Sequence, residues 1–170
     1  MTMPPVFEII TNDAAGTQAV GEALAAVIAA GQVIALRGDL GAGKTTFVQG
    51  LGRGLGAQGR VSSPTFILVN EYATSSGLRL VHIDAYRLGA AAHNEAGSIG
   101  LDELLDAAEA VVAIEWAELV ADLLPADRLL LDLYYLPDGD RRLLRFIALG
   151  PQSAAALQAL QAFIQPTPAP

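Results

Sequence analysis

Residues 38 to 47 read GDLGAGKTTF, and the lysine in that stretch, Lys44, is the only lysine among ten basic residues. Gly38, Gly43, Lys44 and Thr45 fit G-x-x-x-x-G-K-[ST], the P-loop pattern. Glycines there let backbone N–H groups turn inward around phosphate oxygens. The helix that follows presents unsatisfied donors and a partial positive charge to the same anion. A threonine hydroxyl can ligate magnesium. Lysine is a compact charge on a slim stem that reaches between phosphates, where the planar arginine fork would fill the cradle. The phosphate-binding candidates are therefore Gly38, Asp39, Leu40, Gly41, Ala42, Gly43, Lys44, Thr45 and Thr46.

The flanks agree with that reading. QVIAL (32 to 36) is a buried strand entering the loop. Phe47, Val48, Leu51 and Leu55 form the apolar face of a helix that dies in the glycines 52 to 59. Upstream, VFEII (6 to 10) predicts a short strand, and the spacing of Val20, Leu24, Val27 and Ile28 predicts a helix over 13 to 30. Downstream, 65 to 72 and 79 to 86 read as strands joined by TSSG. Residues 88 to 109 are Ala-rich and acidic, with short helices, and 110 to 116 (AVVAIEW) is a buried strand. A hairpin over 128 to 135 and 141 to 149 precedes a helix at 153 to 164. Strands alternate with helices early and pair locally later, which predicts an α/β P-loop NTPase-like sandwich with a mixed central sheet flanked by helices. Residues 1 to 165 read as one domain, with the tail PTPAP (166 to 170) disordered.

The chain has 170 residues, no cysteine, 52% hydrophobic residues and a mean hydropathy of +0.41. No apolar run is long enough for a membrane span, and MTMPPVFEII lacks the regions of a signal peptide. The cytoplasm is the expected compartment. The net charge is −8. A protein that grips nucleic acid alone shows a basic patch; only Arg141, Arg142 and Arg145 cluster here. A role near nucleic acid would run through another protein.

A P-loop site needs a carboxylate at the end of a buried strand. LVHID ends in Asp84 and VVAIE in Glu115; either can hold magnesium or its waters, and either can simply mark where a strand meets water. SSPTF (62 to 66) sits where P-loop proteins place a γ-phosphate sensor. Ser63 or Thr65 can supply a hydroxyl to metal or phosphate, although a Ser-Pro turn with a hydroxyl cap is the preferred reading. Trp116 is either a core anchor or packed near a nucleotide. His82 reads as a satisfied core residue rather than a ligand, and His93 carries no signal.

GDLGAGKTTF, SPTF, HIDAYRL and IEW, in this order and spacing over residues 8 to 149, resemble the TsaE (YjeE) family of small bacterial ATPases. The resemblance implies ATP and magnesium as ligands. It implies a role with a TsaB–TsaD pair in making threonylcarbamoyladenosine beside the anticodon of tRNAs reading codons that start with A, with tRNA met only indirectly. It also implies Thr45 and Glu115 as magnesium ligands, Asp84 as a water-positioning acid, and residues Thr11 to Asp13 (Thr11 and Asp13 included) near the adenine. Trp116 would flank the site, and the loop carrying Thr65 would be a switch. Two departures are Phe66 in place of a common tyrosine and Ala117-Glu118 in place of a common proline.

Two other classes compete. A small-molecule kinase would carry an arginine-rich lid, and residues 89 to 127 hold no arginine. A nucleotide-gated binding module with negligible hydrolysis shares every binding residue with a slow ATPase.

Overall fold

The segments VIALR, AVVAIE and LLLDL are apolar on alternate and intervening positions alike, a pattern that suits strands covered on both faces. In the computed structural model, which describes residues 3–64, 69–86, 100–137 and 139–165, all three lie inside a seven-stranded sheet. Its strands are β1 (Val6–Thr11), β2 (Val33–Arg37), β3 (Val69–Ala73), β4 (Arg79–Asp84), β5 (Ala110–Glu115), β6 (Leu129–Tyr135) and β7 (Arg142–Ala148). Their order is β1-β7-β6-β2-β5-β4-β3. The contiguous run β6-β2-β5-β4 is parallel, while β7 and β3 pair antiparallel with their neighbours. The mixed sheet and the β6–β7 hairpin are as the sequence predicts.

Two cores form on the two faces. Ile34 and Leu36, Leu80, Val111 and Ala113, Leu131 and Leu133, and Phe146 pack against α1 (Ala14–Ala25), α2 (Lys44–Leu55) and α4 (Pro151–Ile164). Val33, Ala35, Val81, Ile83, Val112 and Ile114 pack against α3 (Leu101–Leu105) and a 3₁₀ segment, Ala117–Leu123. The period-2 alternation along each strand thus sends its apolar residues to both cores.

α1 and α2 approach backbone to backbone. A Cβ at Gly50 would overlap the Gln18 carbonyl, and one at Gly21 would overlap the Phe47 carbonyl. The chain reversal after α4's predecessor strand is fixed by Asp127, whose carboxylate accepts from the N–H groups of Gln152 (2.8 Å) and Ser153 (3.0 Å) at the start of α4. Those are helix-terminal donors with no partner inside the helix.

Several predicted boundaries move. The helix expected over 13 to 30 ends at Ala25, because the Ala29 N–H is taken by the Gln32 side chain (2.9 Å), which itself donates to the Gln152 carbonyl (2.8 Å). The strand expected over 79 to 86 stops at Asp84, whose Oδ1 accepts from the Tyr86 N–H (3.0 Å). The strand expected over 110 to 116 stops at Glu115, since Trp116 is left-handed, with φ of 58°. The final helix begins at Pro151, two residues before its expected start. Of the strand expected at 65 to 72, the described part begins at Val69 and extends to Ala73. Of the acidic stretch 88 to 109, the described helix is α3. Thr65, Phe66, Arg87, His93 and the tail 166 to 170 lie outside the described residues.

Candidate functional site

Parallel pairing sets the carboxyl ends of β2, β4 and β5 side by side, the place where open α/β sheets put their sites. In the β4–β5 register Asp84 lies opposite Glu115, and in the β2–β5 register Glu115 lies opposite Leu36. One residue beyond β2's last, the glycine loop begins. Gly38 and Gly43 hold φ of 146° and 107°, conformations that L side chains rarely adopt. Gly43 is also the N-cap of α2 and offers no side-chain cap, so the first-turn N–H groups are left to whatever enters the loop. Ala42 is buried beneath the loop, while Asp39, Leu40 and Gly41 form its exposed rim.

Lys44 is the first residue of α2 and is only 4% exposed. Its Nζ donates to the carbonyls of Gly38 (2.5 Å) and Asp39 (3.0 Å) and sits 3.8 Å from the centroid of the Trp116 ring. Desolvation lowers its pKa, against the upward pull of Glu115, Glu118, Asp84 and Asp39. The left-handed backbone at Trp116 turns the indole back over the loop, where it also packs on Tyr86 with ring centroids 4.9 Å apart. The indole packs against the core that contains Val33, Ile83 and Ile114 and also stands over Lys44, so it is a core residue placed beside the loop.

Thr45 donates from Oγ1 to Glu115 Oε1 (2.7 Å). Glu115 is 3% exposed, and its Oε1 has a second partner, His82 Nε2, at 2.8 Å. His82 is 0% exposed, and its Nδ1 has no partner among the described residues. His82 is a core residue, as expected, and its Nε2 is satisfied by Glu115; Nδ1 alone is left without a partner among the described residues. Asp84 Oδ2 accepts from Ser63 Oγ (3.1 Å). The hydroxyl of Ser63 thus ties its loop to the strand end, in place of the turn cap preferred from the sequence.

The other side of the loop is a cleft of about 230 Å³ lined by Ala14, Thr17, Gly41, Gly43, Thr46, Asp140 and Arg142. Tyr135 donates from its hydroxyl to the Gly41 carbonyl, and the Arg142 guanidinium stacks 4.0 Å above the Tyr135 ring. Thr11 does not line this cleft but braces it, through a buried 2.8 Å hydrogen bond to Thr17. Asp13 caps α1 by accepting from the Gly16 N–H (2.7 Å). Thr17 and Tyr135 have no place in the sequence reading, and Arg142 enters it only as part of a basic cluster. Their only sequence signal is position at strand or helix ends that pairing brings to one edge.

The residue set suits a hard cation and a polyphosphate. Its donors are a hydroxyl and carboxylates, with a helix N-terminus and an ammonium beside them. No group of three or more His, Cys, Asp or Glu among the described residues can hold a metal alone. A cation here would need oxygens from a bound nucleotide, as magnesium commonly does.

A mixed sheet with a G-x-x-x-x-G-K-[ST] loop at the carboxyl edge of its parallel strands, facing two acidic strand ends, is the architecture of P-loop proteins. Within that class, a family model described as "Threonylcarbamoyl adenosine biosynthesis protein TsaE" matches residues 11–143. The chain belongs to the TsaE family. It is 40% identical to the tRNA threonylcarbamoyladenosine biosynthesis protein TsaE of Bacillus subtilis (strain 168), over 79% of this chain and 80% of that one. It is 38% identical to the protein of the same name from Treponema pallidum (strain Nichols), over 79% of this chain and 96% of that one. The crystal structure of Bacillus subtilis YdiB superposes with a TM-score of 0.82 at 32% identity, covering 97% of this chain and 100% of that one.

Proposed function

We propose that the protein binds ATP with magnesium, hydrolyses it slowly alone, and does so to support threonylcarbamoyladenosine formation in tRNA together with TsaB and TsaD. The observation that carries the chemistry is the cluster Lys44, Thr45 and Glu115 at the mouth of the glycine loop, with Thr45 Oγ1 2.7 Å from Glu115 Oε1. The pathway rests on membership of the TsaE family and on the names its relatives bear.

In this reading the loop amides from Gly38 to Thr46 and the Lys44 ammonium hold the β- and γ-phosphates, after Lys44 exchanges its two carbonyl partners for phosphate oxygens. Thr45 and Glu115 would hold a magnesium ion, which would supply neutralising charge beside the terminal phosphates. Asp84 orients a water and takes its proton as the water oxygen bonds to the γ-phosphorus and the bond to the bridging oxygen breaks, giving ADP and phosphate. Arg142, Thr17 and Thr46 border the cleft for the nucleoside, with Thr11 and Asp13 shaping it from behind. Trp116 closes over Lys44, and the loop carrying Thr65 is the switch.

Phosphate release from ATP and magnesium, measured with and without TsaB and TsaD, tests this. A slow rate that rises clearly in the mixture is expected. A fast rate for the isolated protein contradicts the partner-dependent reading. Intact nucleotide binding with no rise favours a nucleotide-gated binding module.

A further inference from the structure

β4 reads RLVHID, and its inner positions Leu80, Val81 and Ile83 are fully buried and apolar. A histidine between them at 0% exposure is the exception. One of its ring nitrogens, Nδ1, meets no partner among the described residues, a state that destabilises a buried polar group. An aliphatic side chain would fill the position without that cost. What the imidazole supplies in return is one contact, Nε2 to Glu115 Oε1 at 2.8 Å. A carboxylate only accepts, and Nδ1 has no acceptor, so the ring carries its proton on Nε2 and donates it to Glu115.

We propose that His82 is the positioning residue for Glu115, holding its Oε1 between two donors so that Oε2 is presented to a divalent cation. Both hydrogen bonds that described residues make to this carboxylate, from Thr45 and from His82, land on Oε1. The strand register explains why a second donor is needed. Asp84 lies directly opposite Glu115, and like charges in facing positions repel. Thr45 alone is a single hydroxyl on a rotatable bond. His82 stands two residues before Asp84 on the same face of β4, opposite Ala113, and reaches diagonally to Glu115 from a position that packing makes rigid. Partners of this kind fix the orientation of a ligating side chain, and their loss commonly weakens metal affinity by about 10- to 100-fold.

The proposal rests on Thr45 and Glu115 holding the cation. The test is equilibrium binding of a fluorescent methylanthraniloyl-ATP, with saturating magnesium and with EDTA. The chains compared are the parent, His82→Leu, His82→Gln, His82→Asn and Glu115→Gln. The parent and Glu115→Gln examine the site itself: if the parent gains no affinity from magnesium, or Glu115→Gln keeps the parent's gain, the metal-site reading fails and this proposal falls with it. If Glu115→Gln loses the gain, His82 is judged separately. His82→Leu is expected to cut the magnesium-dependent gain by about 10-fold or more, with EDTA affinity unchanged and no fall in thermal midpoint. His82→Gln, whose amide donates near the Nε2 position, is expected to recover most of it. A full gain in His82→Leu, an equal loss with magnesium and EDTA, or His82→Gln behaving like His82→Leu overturns the proposal. Should His82→Leu not fold, His82→Gln against His82→Asn makes the same comparison, since the shorter asparagine amide does not reach Nε2. Gln is expected to keep the gain and Asn to lose it; equal behaviour overturns the assignment.

Discussion

Lys44 shows how much a single side chain is asked to do before any ligand arrives. Its ammonium is buried against two carbonyls and an indole face. Desolvation takes its pKa below the ordinary 10.5 despite four nearby acids. The sign of the linkage follows. The unfolded chain holds this proton more tightly than the folded one, so stability rises as pH climbs from the lowered folded value toward 10.5. Urea denaturation of the parent relative to Lys44→Met across that alkaline window is expected to show the difference moving in the parent's favour as pH rises. A flat or opposite trend would contradict the burial argument. For function, Lys44→Ala is expected to weaken nucleotide binding with and without magnesium, and Lys44→Arg to fail to restore it, because the planar fork does not fit under Trp116 and the loop. Isothermal titration in magnesium and in EDTA separates this from the metal-specific loss expected of Glu115→Gln. The lysine, Thr45 and both acids were legible in the sequence, since the loop is a contiguous motif and each acid closes an apolar run. His82 is legible as a core residue, but its partner is not, because Glu115 lies 33 residues away. Asp132 and Arg37 were not singled out. Their bidentate pair, at 2.6 and 2.8 Å, buries Asp132 beneath the residue that precedes the glycine loop.

Elements meet through features that no periodicity announces. α1 and α2 touch at Gly21 and Gly50, where a methyl group would strike a facing carbonyl. Gly50→Ala therefore improves helix propensity and still is expected to destabilise the protein by about 3 kcal/mol, since overpacking against backbone cannot relax by a rotamer change. Urea midpoints with an unchanged slope would show it; a neutral substitution would mean the helices separate easily. α4 depends on Asp127, which comes from the loop before β6. Burial raises the Asp127 pKa, but hydrogen bonds from Gln152 and Ser153 outweigh it and the net shift is downward from 3.8. A depressed carboxylate stabilises the fold above its unfolded pKa and loses that contribution as pH falls through the lower folded value. Asp127→Ala is expected to cost about 1 kcal/mol at neutral pH, with the gap to the parent closing below pH 3.8 in acid titration. Helix and strand identities were readable from the 3.6 and 2.0 periods. Their ends were less so. α1 stops early because Gln32, a residue of the next connection, takes a helix-end N–H. β5 stops early because Trp116 adopts a left-handed conformation over Lys44.

For the molecule as a whole, charge limits what the chain binds directly and topology assembles the site. With a net charge of −8 the chain repels a polyanion. Purified protein is expected to show no saturable tRNA binding below about 100 μM in ~150 mM salt by fluorescence anisotropy, and tight binding would contradict the argument from charge. Among the described residues no helix is long and apolar enough to cross a membrane. The sheet order is what makes the site. β1, β6, β2, β5 and β4 all run the same way, which brings Thr11, Tyr135, the glycine loop, Glu115 and Asp84 to one edge. The amino-acid order was enough for the loop, the α/β class, the late hairpin and the acidic strand ends, because each is written in neighbouring residues or a short repeat. Folding alone brought His82 to Glu115, Trp116 to Lys44, Tyr135 to Gly41 and Asp127 to α4. Those contacts depend on which strands pair and in what register, a choice made by burying two cores at once, and such a choice leaves no trace within any single segment.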